Sequence, residues 1–317
     1  MGEQASSRQE VETQGARVGS PTDPSTEELM FPSGSERCAA TLYRPKDPDG
    51  AVPCVVMAQG FSLTRKDGAP RYAEGFARAG LAALTFDYRH FGDSTGEPRQ
   101  LTDHVRQRED LAAAVDLTRS LDGIDPERIV VWGYSFGGGH ALDHASRDER
   151  LAAAILHFPF LDGRAAMRKA NPVSALRVTG AILGALARRR LVHLPATGPP
   201  RSCAMLTQEE AEPGFDALRA SGSLWRNEFR ARPTQPVFAY RPVKVAARVR
   251  CPLLACLGER DTIVPGPAIV RTAKQAPRGT LRRFDLAHFE PFLDGFDDVF
   301  ADQVAFLERH GAVVGGR

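Results

Sequence analysis

A chain of 317 residues, 42% hydrophobic and 25% charged, can bury a large core as one big domain carrying an insertion, and its composition is that of an ordinary globular protein. The formal net charge of +2 gives no global reason to bind nucleic acid or a membrane, and the most apolar stretch, residues 175–187, is too short to span a bilayer and contains Arg177. Five cysteines (Cys38, Cys54, Cys203, Cys251 and Cys256) are odd in number and fit no metal spacing, so reduced thiols in a cytoplasmic protein are expected.

Residues 1–27 are rich in Ser, Thr, Gln, Glu, Gly and Pro, lack an apolar leader core, and read as a disordered tail. Strands are expected at 29–31, 38–44 and 52–58, the last a continuous apolar run as for a strand buried on both faces. A helix follows at 72–79 and another buried strand at 81–86. Leu111, Ala114, Val115 and Leu121 share one face of the next helix. The strand 129–132 leads through Gly133-Tyr134-Ser135-Phe136-Gly137 into a helix, and a strand follows at 151–156. Beyond residue 250, strands are expected at 253–257 and 281–284. Phe296, Val299, Phe300, Val304 and Leu307 form the inner stripe of a closing helix. Alternating strands and helices imply an α/β fold, a mostly parallel doubly wound sheet with helices on both faces, whose sites lie at the carboxyl ends of strands.

The alternation breaks at 161–250, a stretch with scattered prolines and little strand character. It opens with a helical segment at 165–190 and reads as a lid inserted between core segments 28–160 and 251–312. Its charge is +10, against −8 for the rest of the chain. Two readings stand: a solvated arginine-rich surface, or an electrostatic funnel for an anionic substrate or an acidic carrier protein.

The sharp turn around Ser135 needs small neighbours, which Gly133 and Gly137 supply, and it exposes the hydroxyl at a strand tip beside a helix N-terminus. A serine hydroxyl is a weak nucleophile and needs a base, which in turn needs an acceptor to hold its tautomer. Later in the chain, Asp261 lies in the turn after one strand and His288 in the loop after the next. Glu259 and Asp162 remain as rival acids. A tetrahedral intermediate also needs N–H donors, for which the amides of Phe136 and Phe61 are candidates. His157, near a strand end facing the lid, and Gln59 are candidate substrate contacts. His140 and His144 share a helical face without a third ligand, so no metal is expected.

Together, Met57-Ala58-Gln59-Gly60-Phe61, Phe86-Asp87-Tyr88-Arg89-His90-Phe91-Gly92-Asp93-Ser94, the turn at Ser135, the segment 258–265 and the loop at His288 make the chain resemble the α/β-hydrolase superfamily from about residue 29 to 310. It looks most like the esterase and dipeptidyl-peptidase-like serine hydrolases abundant in actinobacteria. The resemblance implies Ser135 as nucleophile, His288 as general base and acid, and Asp261 as the orienting acid. It also implies Phe61 and Phe136 as oxyanion donors, with Gln59-Gly60 where relatives usually carry His-Gly. The expected function is hydrolysis of a carboxylic ester or thioester on a small-molecule acyl substrate, anionic or carrier-bound, with no cofactor and no nucleic-acid or membrane partner. A homodimer is compatible with the sequence. Rival readings are a natural-product tailoring enzyme using the same triad for elimination, cyclisation or carbon–carbon cleavage, and a non-catalytic binding protein on the same fold.

Overall fold

The computed structural model describes residues 12–17 and 24–312. Along the chain run β1 (Glu12–Arg17), β2 (Ser25–Ser33), β3 (Glu36–Arg44), β4 (Val52–Ala58), α1 (Ala69–Arg78), β5 (Ala82–Phe86), α2 (His104–Ser120), β6 (Ile124–Tyr134), α3 (Phe136–Ala145) and β7 (Ala153–His157). Then come α4 (Gly163–Lys169), α5 (Pro172–Ala187), β8 (Val192–Leu194), α6 (Ala211–Leu218), β9 (Phe229–Ala231), β10 (Leu253–Gly258), α7 (Gly266–Gln275), β11 (Gly279–Phe284) and α8 (Phe296–Arg309).

Nine strands form one sheet in the order β1-β2-β3-β5-β4-β6-β7-β10-β11. The first three pairings (β1 with β2, β2 with β3, β3 with β5) are antiparallel, and every pairing from β5 to β11 is parallel. Strands β4, β5, β7 and β10 are buried at every position, which explains why they read as unbroken apolar runs rather than as alternation. At the centre, Trp132 Nε1 donates to Gln303 Oε1 of α8 at 3.0 Å, joining the middle of the sheet to the closing helix.

The unstructured tail expected over 1–27 is corrected within the described residues: Glu12–Arg17 adds an edge strand to β2, and Ser25 already belongs to β2. Pairing of a sheet edge uses backbone groups, which a polar composition does not forbid. The rest of the expected tail lies outside the described residues.

β7 pairs directly with β10, so the chain between them is an excursion from the sheet. The single helix expected at 165–190 is instead two. Asn171 caps the second, accepting from the amides of Val173 and Ser174, and Pro172 occupies its first turn. Proline forces its predecessor out of helical backbone but suits a helix start, so the chain breaks there and restarts. The excursion also holds a small antiparallel pair, β8 with β9, that its composition did not announce. No helix among the described residues is long and apolar enough to cross a membrane.

Cys38, Cys54, Cys251 and Cys256 are buried and unbridged, and burial pushes the thiols of Cys54 and Cys256 up to about 12, where they stay protonated and inert.

Candidate active site

Ser135 stands between β6 and α3 with φ +49° and ψ −114°, a backbone conformation costly for a residue with a Cβ. The strain is held from several sides. Its amide donates to the carbonyl of His157 at 3.0 Å, and its own carbonyl accepts from Phe160 at 2.7 Å and Gly138 at 3.0 Å. The flanking glycines are a packing requirement. A Cβ on Gly133 would lie 2.3 Å from the carbonyl oxygen of Gly137, and one on Gly137 would lie 2.2 Å from that of Ala58.

Asp261 follows β10 and His288 follows β11, so two adjacent parallel strands deliver both side chains to the sheet end where β6 delivers Ser135. His288 Nε2 is 3.0 Å from Ser135 Oγ, and His288 Nδ1 is 2.6 Å from Asp261 Oδ2. The other carboxylate oxygen of Asp261 accepts from the amides of Ile263 at 2.8 Å and Val264 at 2.9 Å. Burial works to raise the Asp261 pKa, but the adjacent imidazole, its hydrogen bond and the two amides prevail and hold the carboxyl below its ordinary value. All three residues are buried.

The rival acids are engaged elsewhere. Glu259 accepts from Arg283 at 2.7 Å on the surface. Asp162 caps α4, is gripped by Arg241 through two 2.9 Å bonds, and accepts from Arg271 at 3.1 Å. Burial opposes ionisation of Asp162, but the Arg241 pair, the Ala165 amide and Arg271 outweigh it and bring the pKa from 3.8 to about 2. A carboxyl depressed on folding stabilises the fold above its unfolded pKa, and that contribution disappears as pH falls through the folded value. Wild type should therefore lose more melting temperature than Asp162→Asn between about pH 4 and about pH 2. Parallel thermal melts showing equal acid losses would contradict this.

Phe61 and Phe136 line one cavity with Ser135, their rings edge-on at 6.1 Å. The Phe136 amide heads α3, where no intrahelical acceptor exists. Neither this amide nor that of Phe61 donates to another described residue. The cavity, about 140 Å³, is walled mainly by apolar side chains, among them Val178 and Ile182 of α5 and Met205, Phe238 and Ile263.

Two expected substrate contacts are corrected. His157 is fully buried and off the cavity wall. Its ring stacks on Trp132 at 4.8 Å, and its Nδ1 accepts from Gln303 at 2.9 Å. Burial and the nearby His288 hold it neutral, well below the ordinary histidine pKa. Its alternation within β7 turns the ring toward α8 rather than toward the excursion. Gln59 is also buried and off the wall. Its carbonyl accepts from the Tyr88 hydroxyl at 3.3 Å and abuts Gly137. His140 is likewise a core residue, bonded to the Tyr240 hydroxyl at 2.8 Å and the Gln107 side-chain Oε1 at 3.3 Å.

Residues 87–94 form a structural loop. Asp87 receives the amides of Arg65 at 2.6 Å and Asp93 at 3.0 Å, and a Cβ on Gly92 would strike its carboxylate. Three residues near the site were not anticipated. The Tyr134 ring stacks on His288 at 5.0 Å and its hydroxyl donates to the His288 carbonyl at 3.1 Å. Lys169 of α4 donates to the Asp261 carbonyl at 2.8 Å, and Glu210 accepts the His288 amide at 2.9 Å. Only Tyr134 carried a signal, its place beside Ser135; Glu210 lies 78 residues from its partner with no local pattern to mark it.

A mostly parallel sheet with a strained serine at the strand-to-helix turn after β6, and with acid and histidine after the later strands β10 and β11, defines an α/β-hydrolase. Residues 53–290 match the Hydrolase_4 family, described as serine aminopeptidase, S33, and the chain belongs to that family. It is 39% identical over 287 residues to the quorum-quenching protein AidA of Acinetobacter baumannii, covering 89% of this chain and 94% of that protein. It is 27% identical over 294 residues to the polyketide transferase af380 of Aspergillus fumigatus, covering 90% and 98%. The crystal structure of the α/β-hydrolase GrgF from Penicillium shares the fold, with a TM-score of 0.76 at 22% identity over 90% of this chain and 98% of that one. The actinobacterial esterase branch expected from the motifs is not among these relatives.

Proposed function

We propose that the protein is a serine hydrolase that cleaves a carboxylic ester or thioester through an acyl-enzyme on Ser135. The observation that carries this reading is the continuous hydrogen-bonded chain from Ser135 Oγ through His288 to Asp261, at 3.0 and 2.6 Å. In the first half-reaction His288 Nε2 takes the hydroxyl proton as Oγ attacks the acyl carbon. Asp261 accepts from Nδ1 and stabilises the imidazolium. The amides of Phe61 and Phe136 receive the oxyanion, and His288 returns the proton to the departing alkoxide or thiolate. Water then repeats the sequence on the acyl-enzyme.

The acyl group occupies the apolar cavity. A volume of about 140 Å³ is close to that of an engineered cavity that takes up benzene, so it suits a compact acyl group. The residues 161–250 serve as its lid. Product analysis tests the proposal: wild type converts ester and thioester donors to free acid, and Ser135→Ala does not. Similarity to a polyketide transferase favours one second reading, in which the acyl-enzyme passes its acyl group to an acceptor other than water. Formation of a new ester or carbon–carbon bond instead of acid would select it.

The basic lid fits an anionic or carrier-bound acyl donor. Residues 163–208 contain eight Lys and Arg and no Asp or Glu, and Leu176 and Leu183 of α5 are 74% and 60% exposed. An exposed apolar stretch in a cation-rich segment, on the helix that lines the acyl cavity, complements an acidic partner bearing an apolar chain. The kcat/KM for an anionic donor should fall several-fold when ionic strength rises from about 0.01 to about 0.15 M, as the screening length shrinks from about 30 to about 8 Å, while a neutral donor stays constant. Equal salt responses would refute the steering.

A further inference from the structure

The loops bearing Asp261 and His288 leave the sheet where β10 and β11 end, at Gly258 and Phe284; two backbone bonds continue a little beyond, from the Glu259 amide to the Phe284 carbonyl at 2.8 Å and from the Arg260 amide to the Leu286 carbonyl at 3.2 Å, and neither reaches Thr262 or His288. One carboxylate bridges them. Glu210 Oε1 accepts from the Thr262 amide at 2.7 Å and from the Thr262 hydroxyl, and Glu210 Oε2 accepts from the His288 amide at 2.9 Å. Thr262 is the neighbour of Asp261, so each carboxylate oxygen holds one arm of the acid–base pair.

Glu210 belongs to the excursion, not to the sheet. It precedes α6 and makes no side-chain cap there, so both its oxygens are spent on the two loops. α6 is itself seated tightly against the His288 loop. A Cβ on Gly214 would lie 2.1 Å from the Phe289 ring, and Phe215 packs on the same ring at 5.5 Å. From the other side, Lys169 Nζ donates to the carbonyls of Asp261 at 2.8 Å and Val264 at 3.1 Å. Besides those backbone bonds the sheet-borne loops have a side-chain tie, Arg260 with Asp285 and Glu290, but the Arg260 guanidinium side chain is 51% exposed and bonds neither the Asp261 nor the His288 side chain.

We propose that Glu210 is a positioning residue for the reaction. By joining the Thr262 and His288 amides, it holds His288 Nδ1 on Asp261 and Nε2 on Ser135, and it makes seating of the lid part of triad assembly. The proposal rests on reading Ser135, His288 and Asp261 as the working triad. A carboxylate suits the role because it presents two acceptors to two N–H groups, whereas a glutamine amide presents one oxygen and would turn its NH₂ toward the second donor.

The experiment is steady-state ester hydrolysis by full-length Glu210→Ala and Glu210→Gln, with thermal melts and the low-field proton resonance of the His288–Asp261 hydrogen bond. Glu210→Ala should lower kcat by tens of fold, as expected when a catalytic group loses its alignment, with KM little changed and the low-field resonance lost or shifted. Glu210→Gln, which keeps one arm, should fall between wild type and alanine and carries the test if the alanine variant does not fold. Full kcat in either folded variant, or a loss confined to melting temperature with the resonance intact, overturns the proposal. Ser135→Ala is the control: if it is inactive while Glu210→Ala is fully active, only the positioning role fails. If Ser135→Ala keeps its turnover, the triad reading itself fails.

Discussion

Replacing Ser135 by alanine is expected to lower kcat for ester hydrolysis by about 10⁴- to 10⁶-fold while the protein stays folded. The size follows from the covalent step. Without Oγ no acyl-enzyme forms, and what remains is binding and an oxyanion site acting on water. Preservation of the fold follows from what is removed. Alanine keeps the Cβ that φ +49° already accommodates, and the bonds that hold the turn are made by the backbone amide and carbonyl. Side-by-side circular dichroism and turnover measurements decide the matter. A folded variant with wild-type kcat would end the serine mechanism.

Gly137→Ala should be among the most damaging substitutions that leave every polar side chain in place. The added carbon would lie 2.2 Å from the Ala58 carbonyl and 2.4 Å from that of Gln59, both backbone atoms of β4 and the loop after it. Neither can rotate away as a side chain would, so α3 must move off that loop. Overpacking of this kind costs about 1–3 kcal/mol and at times more, and this contact belongs at the upper end. The damage should reach function as well, because the same displacement separates the amide of Phe136 from that of Phe61. Loss of one oxyanion donor lowers kcat by about 10²–10³-fold. Gly180→Ala is the internal comparison. A Cβ there meets nothing within 4 Å, and the largely exposed helix α5 should gain up to about 1 kcal/mol. Urea unfolding of the two variants checks the contrast, and equal stabilities would refute it.

Much of the fold was legible because burial on both faces leaves a strong mark. β4, β5, β7 and β10 could be read from their apolar runs alone, and the strand–glycine–serine–glycine–helix sequence marked the turn at Ser135. The order of Ser135, Asp261 and His288 along the chain was legible for a related reason. In a parallel sheet each strand returns the chain to the same end, so residues that follow successive strands converge there.

The excursion was harder to read. Its two-helix start hinged on Asn171-Pro172, a local signal hidden inside an apolar helical pattern. The β8–β9 pair joins segments too short to show a period. His157 was misjudged because its position at a strand end was visible but the face it took was not. Which side of β7 looks at α8 depends on helix packing that no local window contains.

The chain by itself therefore determined the sheet, the turn that strains Ser135 and the order of the three chemical residues, since these follow from local backbone preference and from the burial of contiguous apolar runs. Only the tertiary structure decided which acid meets His288, which residues wall the cavity, and that Glu210 bridges the Asp261 and His288 loops. The hydrogen bonds among them join segments 27 to 78 residues apart and the cavity wall draws on residues from Phe61 to Ile263; the angles at which helices and loops pack set such contacts, and they leave no periodicity in the sequence.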